Sequence, residues 1–118
     1  MKKNKEPSLR QTRVNELIKR TLSDVILKEG IPKELVGNLI SISSVDISPD
    51  FKNAIVFFSI IGSDVNIKSA CKLLNDNMFR YQSIVASKLR LPKFPKMIFK
   101  YDDSFVNAQK IEKLIKKT

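Results

Sequence analysis

A two-layer α+β sandwich is the fold the sequence predicts, and three observations predict it. Apolar residues recur at helical spacing from Val14 to Val25 and again from Ile67 to Leu89. They alternate with period two in three shorter stretches, around Ile40–Ile47, Ala54–Ile60 and Met97–Tyr101. The first two of these are separated by a brief turn segment, whereas the third follows a long helical crossover. Helices therefore cover one face of a three-stranded sheet.

The elements follow in order. Residues 1–7 read as a flexible basic arm ahead of a single domain spanning 8–117. Ser8 and Gln11 have capping-box spacing, so the first helix starts there; Val14, Leu17, Ile18, Leu22 and Val25 form its apolar stripe. Arg13 and Arg20 lie two turns apart on its polar side, and Glu16 is spaced to pair with Arg20. Gly30 and Pro32 end the helix, and one helical turn is expected around Lys33–Val36.

In LISISSVDIS, Ile40 and Ile42 share a face but Val45 and Ile47 fall in the opposite phase. One extra residue at Ser43–Ser44 would restore them, which predicts a β-bulge. Ser48-Pro49-Asp50 opens a turn, so an antiparallel hairpin joins this strand to AIVFFSII. There Ala54, Val56, Phe58 and Ile60 point one way, and Ile55, Phe57 and Ser59 the other. Ser63 or Asp64 is the expected cap of the next helical region. Its stripe runs through Ile67, Ala70, Cys71, Leu74, Met78, Tyr81, Val85 and Leu89, with a bend expected at Asn75-Asp76-Asn77. Pro92 and Pro95 forbid helix, and Met97, Phe99 and Tyr101 then mark the third strand. Asp102–Ser104 caps a last helix carrying Val106, Ile111, Leu114 and Ile115.

Composition narrows the function. The 118 residues form one domain with room for a core, and no apolar run approaches the ~20 residues of a membrane span. The basic start MKKNKEPSLRQTR has no apolar stretch behind it, so no signal peptide is expected. Cys71 is alone, which excludes an internal disulfide and reads as a buried structural thiol; the expected compartment is the cytoplasm.

With 22 Lys+Arg against 12 Asp+Glu the net charge is +10, unevenly placed. Residues 21–51 hold five acids against Lys28 and Lys33, a local −3 within a total of +10, so the remaining segments carry +13. A polyanion-binding face fits this segregation better than a uniformly solvated basic surface, and nucleic acid fits better than membrane. The basic stretch RYQSIVASKLRLPKFPKMIFK has no acid between Asp76 and Asp102 and passes from helix to strand. Its cations are placed on a rigid corner, where spacing can match a phosphate backbone.

Catalysis has little to stand on. There is no histidine, and Cys71 has no base to activate it. Gly30, Gly37 and Gly62 are too scattered for a phosphate-cradling loop. Asp102-Asp103 could be imagined as a Mg²⁺ site, but Asp-Asp-Ser before a helix is ordinary capping. A non-enzyme without cofactor or metal is expected. Most aromatics fall on inward faces, with Phe57 as the exception, so stacking on splayed bases is not expected.

Several stretches together resemble one family. Arg13-Val14 with Leu17-Ile18 is similar to its opening helix, and Val45-Asp46-Ile47-Ser48-x-Asp50-x-x-x-Ala54-x-Val56 to its hairpin. Leu89-Arg90-Leu91-x-x-x-Pro95-x-Met97-x-Phe99-x-Tyr101-Asp102-x-Ser104 is similar to its C-terminal signature. The family is ribosome-binding factor A, a bacterial small-subunit assembly factor, and the resemblance runs from about Arg10 to Leu114. It implies a KH-like type II fold (order α-β-β-α-α-β, plus a C-terminal helix). It also implies a non-catalytic, monomeric protein that binds the free or immature small ribosomal subunit through its 16S rRNA. The family aids late rRNA processing, is associated with growth in the cold and is released before translation. No Gly-x-x-Gly clamp is present, so sequence-reading of single strands is not implied. One departure stands out: the small-x-Gly at which the family bends its second helix aligns with Asn77-Met78-Phe79.

The expected RNA contacts are Arg80, Lys88, Arg90, Lys93 and Lys96, assisted by Arg10, Arg13 and Arg20 and by Lys2, Lys3 and Lys5. Each would hold phosphate rather than read a base. A ribosomal or translation-factor-like module that binds protein as well as RNA, or an architectural nucleic-acid-binding protein, are the alternatives.

Overall fold

The structure, a computed structural model, describes residues 6–62, 66–91 and 93–104. Its order is α1 (Leu9–Glu29), a 3-10 turn (Lys33–Leu35), β1 (Leu39–Ile47), β2 (Asn53–Ile61), α2 (Ile67–Asp76), α3 (Met78–Leu89) and β3 (Lys96–Tyr101). The strands form one mixed sheet in the order β1-β2-β3, antiparallel between β1 and β2 and parallel between β2 and β3. This is the expected KH-like type II α+β arrangement. The basic arm up to Lys5 and the last helix beyond Ser104 lie outside the described residues.

Local chemistry sets the boundaries of α1. The Ser8 hydroxyl accepts from the Gln11 amide at 3.1 Å while the Gln11 side chain accepts from the Ser8 amide at 2.8 Å, a complete capping box. At the other end Gly30 takes φ +89°, a region that L side chains rarely adopt, and its N–H still reaches the Ile26 carbonyl. Ile18, Leu22, Val25 and Ile26 face the sheet. The predicted Glu16–Arg20 pair is not formed. Among the described residues the ion pairs are Lys28–Asp24 and Lys72–Asp76, and Glu16 and Arg20 are exposed side chains for which water competes.

The bulge falls where the phase change predicted it. Ile42 pairs with Phe58 but Ser44 pairs with Phe57, leaving Ser43 as the extra residue. Its hydroxyl donates to the Phe57 carbonyl. Val45 and Ile47 are thereby returned to the face already holding Ile42, and all three are buried. Ala54, Val56, Phe58, Met97 and Phe99 complete that face under the helices. Phe58, on the central strand, meets Phe99 edge-on at 6.0 Å and Tyr101 at 5.7 Å between ring centroids. Tyr81 of α3 meets Phe99 similarly and donates its hydroxyl to the Gly30 carbonyl at 2.9 Å, tying α3 to the end of α1.

The cap of α2 is Asn66, accepting from the Ser69 amide at 3.0 Å; the expected caps Ser63 and Asp64 lie outside the described residues. The bend comes at Asn77 (φ −99°, ψ 0°), whose side-chain amide donates to the Leu73 carbonyl. A glycine is not needed there because φ stays negative, and Phe79 sits in an ordinary helical turn, 83% exposed.

Amide side chains also close both sheet edges. Asn75 accepts from the Phe99 amide at 2.7 Å and donates to the Phe99 carbonyl at 3.1 Å, and Gln82 accepts from the Met97 amide. At β1, Asn15 and Gln11 do the same for the amide and carbonyl of Ile47. Exposed edges invite pairing with other chains, and side-chain capping blunts them. Asn75→Ala removes two such bonds at once and is expected to cost about 2 kcal/mol. In urea unfolding this appears as a lower midpoint with an unchanged slope, while Asp76→Ala stays within about 0.5 kcal/mol.

Candidate nucleic-acid interface

α3 ends with Lys88 exposed in its last turn. Arg90 then takes the left-handed conformation (φ 52°, ψ 39°), its N–H donating to the Ala86 carbonyl at 3.1 Å. A non-glycine residue there costs about 1–2 kcal/mol, so the reversal is held in place by the packing of the loop after it. Pro95 is fully buried and Phe94 half-buried, which pins the loop carrying exposed Lys93 to the body of the domain.

The β1–β2 turn approaches the same corner. The Phe51 amide donates to the Ser48 carbonyl at 2.9 Å, and Asp50 Oδ1 accepts from the Ser48 hydroxyl at 2.6 Å and the Lys52 amide at 3.0 Å. The hydroxyl bond first, then the amide, holds the Asp50 carboxyl below the usual value of 3.8, so it is ionised at neutral pH. Phe51 takes φ +61°, and its ring lies 4.7 Å from the Arg10 guanidinium. The Lys96 amide donates to the Lys52 carbonyl at 2.9 Å, which joins turn to corner.

Between these pieces runs a groove with a volume of about 860 Å³. Arg10, Lys52 and Lys93 supply its cations, Phe51, Phe94 and Leu91 its apolar wall, and Asp50 its acid. Sequence reasoning identified Arg10 and Lys93 but missed Lys52, and it placed neither Phe51 nor Phe94 outside the core. The signal was present in Ser48-Pro49-Asp50-Phe51-Lys52: the residue after a Ser-Pro-Asp turn closes it with positive φ, and its side chain cannot join either strand face.

The eight expected contacts do not share one surface. Lys88, Arg90 and Lys93 follow closely at and after the end of α3, and of these Lys93 lines the groove with Arg10. Arg13 and Arg20 are exposed on the side of α1 turned away from its buried stripe. Arg80 lies opposite the buried stripe of α3, its guanidinium 5.4 Å from the Tyr81 ring centroid. At about 1.5 Å per residue Arg80 is about 12 Å along the helix from Lys88. Lys96 stands apart: it alternates with buried Met97, so it lies with Ile98 and Lys100 on the open face of the sheet. Among the described residues none of the eight has a carboxylate within 4.0 Å.

Other sites resolve simply. Phe57 lies half-buried on the open face as expected; Phe79 is exposed at an outward helical position, and Phe51 and Phe94 are half-buried against the edge of the core, where turns hold them. Cys71 is partly buried, its thiol 3.4 Å from the Phe99 carbonyl. Asp102 accepts from both the amide (3.0 Å) and hydroxyl (2.6 Å) of Ser104; the helix expected to follow lies outside the described residues. No helix among the described residues is long and apolar enough to cross a membrane.

A family model described as "Ribosome-binding factor A" matches residues 10–115. Proteins named ribosome-binding factor A from Halothermothrix orenii (31% identical over 92% of this chain and 87% of theirs) and Geobacter metallireducens (32%, 91% and 89%) are similar throughout. The crystal structure of ribosome-binding factor A from Thermus thermophilus superimposes with a TM-score of 0.65 at 20% identity, covering 77% of this chain and 94% of that one. The homology model of the Thermus thermophilus factor fitted into the cryo-EM map of a 30S–RbfA complex gives 0.61 at 18%, covering 75% and 91%.

Proposed function

This chain belongs to the ribosome-binding factor A family, and from that premise we propose that it binds the free or immature small ribosomal subunit through 16S rRNA and promotes late subunit maturation. It acts in the cytoplasm without catalysing a reaction. The observation that carries this reading is the groove lined by Arg10, Lys52 and Lys93 beside the β1–β2 turn, with Lys88 and Arg90 exposed at the adjoining end of α3. Cations gathered there, with no ion pair to a carboxylate among the described residues, suit the phosphates of folded RNA. The relative fitted into a 30S complex supports the choice of particle.

Binding of this kind biases an rRNA junction toward its mature arrangement by stabilising that arrangement more than others, a shift of populations rather than a chemical step. Release then needs only that the finished subunit offer a poorer fit. Co-sedimentation tests the proposal: the protein is expected to pellet with free small subunits and not with assembled ribosomes. Affinity should fall about 10³-fold or more between 50 and 200 mM salt if about six phosphates are neutralised. A flat salt response, or equal binding to assembled ribosomes, would contradict it.

A further inference from the structure

The groove beside the corner has chemistry that phosphate binding alone does not use. Its wall is aromatic and apolar, its rim is cationic, and its volume of about 860 Å³ falls in the range of small-molecule pockets. Phosphate contact needs only Arg10, Lys52 and Lys93. Phe51 is half-buried and packs against the edge of the core, yet as a bulky side chain at φ +61° it strains the turn. Positive-φ strain on such a residue is associated with ligand clamps. The half-buried ring lies under the Arg10 guanidinium and lines the groove together with Phe94. Unpaired RNA bases are held in this way: an aromatic or guanidinium plane takes the base face while neighbouring cations hold the backbone.

We infer that the groove between the start of α1, the β1–β2 turn and the residues Leu91, Lys93, Phe94 and Pro95 receives one unpaired nucleotide of RNA, its base against Phe51 and Phe94 and its phosphate at Lys52 and Lys93. The inference rests on the rRNA-binding reading and adds to it a bulged or single-stranded nucleotide next to the helix gripped by the corner. Asp50 is the one acid among the described residues of the groove and is ionised, so it accepts from base amino groups. Bases bearing an exocyclic amine are therefore preferred to uracil.

Two RNA hairpins of equal length test this with the full-length protein: one fully paired, one carrying a single bulged 2-aminopurine. The bulged hairpin is expected to bind about 10-fold tighter, the order of one base stacking on an aromatic ring, with quenched 2-aminopurine fluorescence. Phe51→Gly removes the ring while suiting φ +61°, and Phe51→Asn also tolerates that conformation. Both variants should lose the quenching, and their affinity for the bulged hairpin should fall to that for the paired one. Equal wild-type affinity for the two hairpins, or a preference that survives both substitutions, would overturn the nucleotide pocket while leaving rRNA binding intact. Failure of the wild type to bind either hairpin, or small subunits, would overturn both.

Discussion

Reversing three charges at once (Lys88→Glu, Arg90→Glu and Lys93→Glu) is expected to weaken binding to free small subunits by about 10³-fold or more at low salt. It should also lower the log–log salt slope by about 3, roughly one unit for each phosphate that is no longer neutralised. The three side chains are exposed and have no carboxylate within 4.0 Å among the described residues, so the fold loses little with them. Lys88 stands in the last turn of α3, where a cation favours the helix dipole by about 0.3–1 kcal/mol. That is far less than the stability of a domain. Arg80→Glu and Lys96→Glu are the informative comparisons. The first lies on the outward side of α3 and the second on the open face of the sheet, so each alone should change affinity much less. A triple variant that unfolds at the wild-type urea midpoint and still pellets with small subunits would remove the corner from the interface.

Phe58→Ala is expected to destabilise the domain by about 3–5 kcal/mol, the usual cost of removing a buried aromatic ring. Phe58 is fully buried on the central strand and holds two edge-on partners, Phe99 and Tyr101, both on the neighbouring parallel strand. The cavity cannot close by local collapse, because β1 and β3 flank the strand and the helices lie across it. Against a total of about 5–15 kcal/mol this would leave a substantial unfolded fraction near physiological temperature. Phe57→Ala, one residue away, removes the same ring from the open face and should cost less than about 1 kcal/mol. Urea unfolding of the pair measures the difference directly. Similar midpoints for the two variants would mean that the core does not lie where the sheet register puts it.

Much of this was legible in the chain itself. The helical stripes, the strand alternation and the bulge at Ser43 are all consequences of period, and period is a property of neighbours in sequence. The capping box at Ser8 and Gln11 is equally local. Family membership followed from motif order. The bend at Asn77 was located correctly without the family's glycine, since three poor helix formers in succession leave the helix weakest there.

What the sequence determined, then, is which side of each element is buried, because burial imposes a period that short-range spacing records. The tertiary structure alone decided which exposed residues meet. Arg10, Phe51, Lys52, Lys93 and Phe94 come from three separate elements, and sheet register with the left-handed turn at Arg90 sets them around one groove. The same register turned Lys96 to the opposite face although it is only three residues from Lys93. Contacts between surface residues leave no period behind them, so they exist only once the packed core has fixed where each element lies.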